Sequence, residues 1–335
     1  MKFLVIRFSS IGDIVLASPV MRCLKKQLIT SEVHFLTKNA FRSVTENNPN
    51  IDKFFYFEDN IHTLIEELRK EQYDYLIDLH HNFRSIKIKR ALGVKSYTIN
   101  KLSFEKFLLT KLRINIMPGR HITRRSLDAV KDFGIEDDGM GLDYFIPEKD
   151  KVKESDIPAS HHAGYIALVI GASYRTKKMP VHKLKVLCER FNHPIILLGG
   201  KEDRAEGEQV AASDPGKIYN ACGKFSLHES ADLVRRSKLV ISHDTGLQYI
   251  ACAFNKPVLA LWGSTSPKLD VEPWYGNVFL STQKNLPYEN LLVPGLKCQP
   301  CSKYGNRKCP LGHFNCMEKM DIDHIIDRAM ARIGR

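Results

Sequence analysis

The chain has 335 residues, 43% of them hydrophobic and 26% charged, with a net charge of +12. That length exceeds one typical core and predicts two domains. The composition is that of a globular protein, and no apolar run suits a membrane span or a signal-peptide core, so a cytoplasmic protein is expected. Eight cysteines are too few for a secreted disulfide scaffold of this length, and Cys23, Cys188, Cys222 and Cys252 stand in apolar contexts typical of buried thiols.

The first strand is predicted over Lys2–Phe8, a β-branched and aromatic run. Ser9–Asp13 is a turn, and Ile14–Leu28 repeats its apolar residues at helical spacing, with Pro19 tolerable near a helix start. Strands follow at Glu32–Thr37, Phe54–Phe57, Tyr73–Leu79 and Lys95–Ile99, with helices at Ile61–Arg69 and Arg84–Leu92. The alternation breaks at Gly139–Pro158, where Gly, Asp, Pro and Lys read as a linker. It restarts with strands at Tyr165–Ile170, Pro194–Leu198, Lys238–Ile241 and Pro257–Trp262, and helices at Pro180–Phe191, Ser226–Arg236 and Ile250–Phe254. A last helix, Asp323–Ile333, is expected to pack back toward the first half.

Short apolar strands alternating with helices predict an α/β fold with parallel sheets. The expected division is residues 1–150, 151–320 and a C-terminal helix in 321–335. Ligands of such sheets bind at the carboxyl ends of strands. Four polar loops are placed there: Ser9–Asp13, Gly171–Pro180, Ser242–Gly246 and Gly263–Pro267. Their shared placement predicts one interdomain cleft.

Each loop carries recognisable chemistry. Ser242-His243-Asp244-Thr245-Gly246 turns a strand into a helix and offers backbone N–H groups and a positive dipole end to a phosphate. An ordinary capped helix is the plainer alternative, since Asp and Thr are common caps. Asp13, at a strand end, can cap its helix or take a proton from an attacking hydroxyl. The loop from Gly171 to Pro180 holds Ser173, Arg175, Thr176, Lys177 and Lys178, which suits a departing diphosphate or is simply a solvated basic loop. No Asp-x-Asp pair stands at a strand end to hold a metal; Asp321-Ile322-Asp323 reads as helix capping. Cys298, Cys301, Cys309 and Cys316, with His313 among them, have zinc-like character, and reduced structural thiols are the alternative.

The charge is unevenly distributed. Arg84–Arg125 holds twelve Lys/Arg and one acid, Glu105, a net of +11. That concentration predicts a phosphate-bearing partner or an anionic membrane surface. Within it, Leu102–Met117 interleaves Leu and Phe with Lys106, Lys111 and Arg113, as an interfacial helix would, though a helix packed on the sheet is equally compatible. Tyr97, Phe104 and Phe107 stand among aliphatic residues and read as core rather than as base-stacking platforms.

With these loops in place, the chain resembles glycosyltransferase family 9, the lipopolysaccharide heptosyltransferases. The resemblance runs from Arg7-Phe8-Ser9-Ser10-Ile11-Gly12-Asp13-Ile14-Val15, through Ser242–Gly246 and an imperfect Gly263-Ser264-Thr265-Ser266-Pro267, to Leu296–Cys301 and Cys309–His313. It implies a GT-B architecture of two Rossmann-like domains, with acceptor bound on the first and donor on the second. It implies Asp13 as catalytic base, Lys177 at the diphosphate, and donor contacts at Ser173, Lys178, Asn220, Asp244, Thr245, Gly246 and Tyr249. Acceptor contacts fall at Ser10, Gly12, Arg84, Arg120 and Arg124. Two positions depart from the family: Tyr249 stands where relatives carry His, and Asn220 where they carry an acid that meets the ribose.

The expected activity is inverting, metal-independent transfer of a heptose from a nucleotide-diphosphate sugar such as ADP-heptose. The expected acceptor is a phosphorylated lipopolysaccharide core or lipid A-linked sugar. No catalytic cofactor is expected, and a structural zinc is a candidate. The anionic inner face of the cytoplasmic membrane is an expected partner, and nucleic acid is not. A nucleotide-sugar epimerase of the same architecture and a non-enzymatic nucleic-acid-binding protein are the alternatives.

Overall fold

A computed structural model describes residues 1–334. The chain forms two compact units. The first comprises Met1–Leu102, Arg120–Phe145 and Trp274–Phe279; the second comprises Ser103–Gly119, Ile146–Pro273 and the chain from Leu280 onward.

The first unit holds a wholly parallel sheet of β1 (Lys2–Ile6), β2 (Glu32–Lys38), β3 (Lys53–Phe57), β4 (Tyr75–Asp78) and β5 (Lys95–Thr98), in the order β3-β2-β1-β4-β5. Phe3, Leu4, Val5 and Ile6 are fully buried, which explains why β1 reads as an unbroken apolar run. The second unit holds β6 (Ile166–Val169), β7 (Ile195–Leu198), β8 (Ile218–Asn220), β9 (Leu239–His243), β10 (Val258–Leu261) and β11 (Tyr288–Leu291). Their order is β11-β10-β9-β6-β7-β8, again all parallel. Both sheets follow the doubly wound Rossmann order, and each reverses direction beside its own first strand. Two Rossmann-like parallel sheets in one chain are the components of the expected GT-B fold.

Several expectations need correction. The single helix over Ile14–Leu28 is two helices, Ile11–Leu16 and Ser18–Gln27, meeting at Ala17. Pro19 lacks an N–H and its ring displaces the preceding turn, so it opens a new helix instead of extending the old one. The last helix, Ile322–Ile333, belongs to the second unit. Ile325 and Ala329 are buried in the second unit's core with Ile166, Leu184 and Leu259. Strands β8 and β11 escaped notice because they are short edge strands with polar residues: Asn220 in one, Glu289 and Asn290 in the other.

The Leu102–Met117 stretch is no continuous interfacial helix. It is a short helix, Ser103–Phe107, a π turn, Leu108–Leu112, and an irregular tail after Arg113 enters the left-handed region. Leu102 and Leu109 are buried, whereas Phe104 and Phe107 are 65% and 47% exposed and therefore are not core. Only Tyr97 of the three aromatics packs, against Tyr75 and Phe133.

The return of Trp274–Phe279 to the first unit depends on a close backbone approach. A Cβ on Gly276 would lie 2.2 Å from the Gly139 carbonyl, so only glycine fits. Trp274 then stacks on His121 at 4.4 Å between ring centroids, with Arg124 over its face at 5.2 Å.

Candidate active site

The reversal point of the first sheet lies between β1 and β4, and the loops after these two strands carry its chemistry. After β1, Ser10 caps the helix that contains Gly12 and Asp13. Asp13 Oδ2 accepts from the Ser10 amide at 3.1 Å and from Ser10 Oγ at 2.8 Å. Its Oδ1 lies 2.7 Å from Arg7 Nη2, and about a third of its side chain remains open, at 32%. Burial pushes the Asp13 carboxyl upward, but Arg7 and the two Ser10 bonds outweigh it and hold the group below its ordinary range. Arg7 is itself buried and fixed through the carbonyls of Ser9 and Leu79.

After β4 comes a loop that the sequence reading missed. The fully buried Asp78 accepts from the His80 and His81 amides at 3.0 and 2.6 Å and pairs with Lys89 at 3.3 Å. His80 packs edge-on against Phe8, and its pKa is lowered to about 4, first by burial and then by Arg7 and Lys101. A neutral imidazole therefore stands in the neighbourhood of Arg7 and Asp13. Asp78-Leu79-His80-His81-Asn82 at the end of an apolar strand was the available signal.

The acceptor-side arginines differ. Arg84 is exposed with its guanidinium 5.5 Å from the Phe57 ring centroid. Arg120 is locked in a two-bond ion pair with Asp128. Arg124 lies on Trp274. The basic run does not form one surface element, because Lys106, Lys111 and Arg113 belong to the second unit and the other nine cations to the first.

In the second sheet the reversal lies between β6 and β9. The loop after β6 presents exposed Ser173 and then Lys177. Lys177 Nζ meets Asp244 Oδ2 at 2.7 Å and donates to the Asp244 carbonyl at 3.0 Å. Asp244 is held from two further sides, by Thr265 Oγ1 at 2.9 Å and Tyr249 Oη at 3.2 Å. Tyr249 is buried, so it positions Asp244 rather than facing a ligand openly. Thr245 is the N-cap of the helix Gly246–Ala253, yet its side chain makes no cap bond, leaving the first-turn N–H groups without a side-chain acceptor. His243, fully buried, accepts from the Met179 amide through Nε2 at 2.9 Å; burial and three nearby cations lower its pKa to about 3, so it is neutral scaffold.

The β10 loop completes this half-site. A Cβ on Gly263 would lie 2.3 Å from the Thr176 carbonyl, so glycine lets the two loops touch. Ser264 N then donates to Thr176 O at 3.0 Å, and Thr176 Oγ1 meets Ser264 Oγ at 2.8 Å.

Two expected donor contacts have their side chains held inside the protein. Lys178 is buried and held by Asp203 at 2.7 Å and Glu206 at 2.5 Å. Burial alone would lower its pKa; the two carboxylates raise it, so it is a compensated internal cation. Asn220 is buried at the end of β8, its amide bonded to the Arg204 carbonyl and the Cys222 amide, which leaves its side chain turned into the protein.

The cysteines gather without converging tightly. Cys298 Sγ lies 4.0 Å from His313 Nε2. Burial raises the Cys301 and Cys316 thiols, the latter to about 12, and the neighbouring cysteines raise them further. Among the described residues, the three ligand atoms that lie within 4.8 Å of one another belong to Glu32, His34 and Glu71. Lys2 and Lys53 already pair with those carboxylates, so that cluster is an ion-pair network.

Comparison with known proteins covers the second half-site. The profile of glycosyltransferase family 9 (heptosyltransferase) matches residues 61–290, which include Lys177 and Asp244. The chain is 27% identical over 304 residues to lipopolysaccharide heptosyltransferase 1 of Campylobacter coli, covering 83% of this chain and 86% of that protein. The solved ADP-heptose lps heptosyltransferase II of E. coli shares the fold with a TM-score of 0.73 at 16% identity, covering 99% of this chain and 98% of that one. A second E. coli heptosyltransferase, solved with ADP, aligns with a TM-score of 0.66 at 17% identity over 99% of this chain and all of that one, at 100%. The profile covers well over half of the sequence, which sets aside the epimerase and nucleic-acid-binding alternatives: the chain belongs to glycosyltransferase family 9 (heptosyltransferase) and is a glycosyltransferase.

Proposed function

We propose that this enzyme transfers a heptose from ADP-heptose, with inversion, to a phosphorylated lipopolysaccharide-core or lipid A-linked acceptor. The carrying observation is Asp13: a partly open carboxylate at a sheet reversal, held ionised by Arg7 and Ser10. Asp13 accepts the proton of an acceptor hydroxyl as its oxygen attacks the anomeric carbon. The bond from that carbon to the diphosphate breaks, and ADP leaves with the electron pair. Lys177 and the free N–H groups at Gly246 offset the growing charge, and no metal is assigned to this step. Asp244 holds Lys177 in place until the diphosphate competes for it. Of the three expected acceptor-side arginines, Arg84 and Arg124 make no ion pair among the described residues, whereas Arg120 pairs with Asp128.

The relatives' names motivate the heptose and the lipopolysaccharide acceptor, and the neighbour solved with ADP motivates the nucleotide. No helix among the described residues is long and apolar enough to cross a membrane. Cytoplasmic placement with peripheral association at the anionic inner membrane belongs to the same proposal. The test is ADP release with purified enzyme, ADP-heptose and a soluble acceptor glycoside, with the product anomer read by NMR. Acceptor-dependent ADP release with an inverted product supports the reading; donor hydrolysis alone or a retained anomer overturns it.

A structural metal at Cys298, Cys301, Cys309 and Cys316 is a separable part of the proposal. Four thiols plus His313 are a soft donor set suited to zinc, whose sulfur ligands bind at about 2.3 Å. Elemental analysis of purified protein reads it directly: close to one zinc or iron per chain supports the site, and metal-free, fully folded protein overturns it.

A further inference from the structure

The second unit carries a cavity of about 300 Å³ whose lining includes neither Lys177 nor Asp244. Its charged lining is one-sided: Arg113, Lys268 and Lys297, with no carboxylate, beside the neutral polar Asn115, Ser266 and Gln299. None of the three makes an ion pair among the described residues, while many of the chain's other cations do. Arg113 is fixed, not floppy, because its Nη1 donates to the carbonyls of Thr110 and Pro300. The floor is fixed too: Gln299 Nε2 bonds the carbonyls of Trp262, Gly263 and Thr265. The walls are aliphatic, from Leu109, Leu292, Val293 and Leu296.

Arg113 ends the segment that also displays Phe104, Phe107 and Leu112, with Ile114 and Ile116 just beyond. These five side chains are 47–65% exposed. Single exposed apolar residues are ordinary, but five within thirteen positions, interleaved with Lys106, Lys111 and Arg113, are not. An uncompensated cationic pocket beside exposed apolar side chains matches an anionic bilayer, with phosphate for the pocket and acyl surface for the apolar residues. Nucleic acid matches less well, because the pocket walls offer no aromatic face for a base.

We propose that this pocket binds the phosphodiester headgroup of an anionic membrane lipid while Phe104, Phe107 and Ile114 enter the interface beside it. Neither Lys177 nor Asp244 lines the pocket, although Ser266 of the loop that completes the donor half-site does. The inference rests on the lipid-linked acceptor of the proposed function, and its test is separable from that function.

The test is flotation of the full chain with phosphatidylcholine vesicles, with and without phosphatidylglycerol. Wild type is expected to float only with the anionic vesicles. Lys268→Ala/Lys297→Ala is expected to weaken that binding on the order of 25-fold, about fivefold per lysine. Removing the same charge elsewhere on the unit, by Lys149→Ala/Lys284→Ala, is expected to change it less than about threefold, since neither lysine lines the pocket. Phe104→Ser/Phe107→Ser is expected to abolish flotation. All variants are expected to keep wild-type turnover with the soluble acceptor, which separates docking from catalysis. Equal losses in the two lysine pairs would mean diffuse charge rather than a pocket and would overturn the proposal. So would wild-type flotation of the Lys268/Lys297 variant, or tighter binding of single-stranded nucleic acid than of anionic vesicles.

Discussion

The two sheets are the same object built twice, and they differ in what stands at the reversal point. The first presents a carboxylate, Asp13, backed by an arginine; the second presents a lysine, Lys177, backed by a carboxylate. The shared strand order determines where a site forms. In the mechanism we propose, the sign of the group at each reversal point determines which half of the reaction it serves: proton acceptance in one unit, leaving-group charge in the other. A fold repeated in one chain thus hosts opposite electrostatics through a few loop residues, each kept in register by a counter-charge that is more buried or better hydrogen-bonded than itself.

The sharpest way to break this contrast is to remove its acid half. Asp13→Ala is expected to cut transfer by at least about 10²–10⁴-fold, the usual worth of a general base, while calorimetry finds ADP affinity unchanged. Retained turnover would remove Asp13 from its role. Lys177→Ala is expected to cost about 10²–10³ in rate, like the loss of one transition-state donor, and also to weaken ADP binding. Unchanged ADP affinity would separate Lys177 from the diphosphate.

The supporting residues should show smaller, directional effects. Because Arg7 and Ser10 hold Asp13 low, the base form persists below the ordinary carboxylate range, and the acid limb of kcat/KM against pH should lie there. Arg7→Met is expected to move that limb to higher pH, in protein whose circular dichroism confirms folding. A limb that stays put would mean another group controls it. Tyr249→Phe removes one hydroxyl from Asp244 and the Val271 carbonyl. It is expected to lower stability by about 1 kcal/mol in urea titrations and to lower kcat several-fold with little change in ADP affinity. A larger loss of ADP affinity than of kcat would make Tyr249 a ligand contact instead.

Much of the fold was legible because it is local. β1, β6 and β9 announce themselves as apolar runs because parallel strands are buried on both faces, and the polar loops after them mark the carboxyl ends. The candidate residues Asp13, Lys177 and Asp244 were legible for the same reason: each lies within a few positions of a readable strand. The β4 loop was not, because Asp78 reads as part of the strand until its bonds to His80 and His81 show it holding a turn.

The sequence by itself determined the two α/β halves, the strand-end placement of the loops, and the types of group each loop offers. Those follow from spacing and burial within some ten residues. Only the tertiary structure decided which of two adjacent lysines faces Asp244. Lys178 is buried against Asp203 and Glu206, more than twenty residues away, and that pairing leaves Lys177 to the site. Tertiary structure also divided the basic run between two units and put the last helix in the second core. These choices depend on partners distant in sequence, and a side chain's neighbours across such distances leave no mark in its own segment.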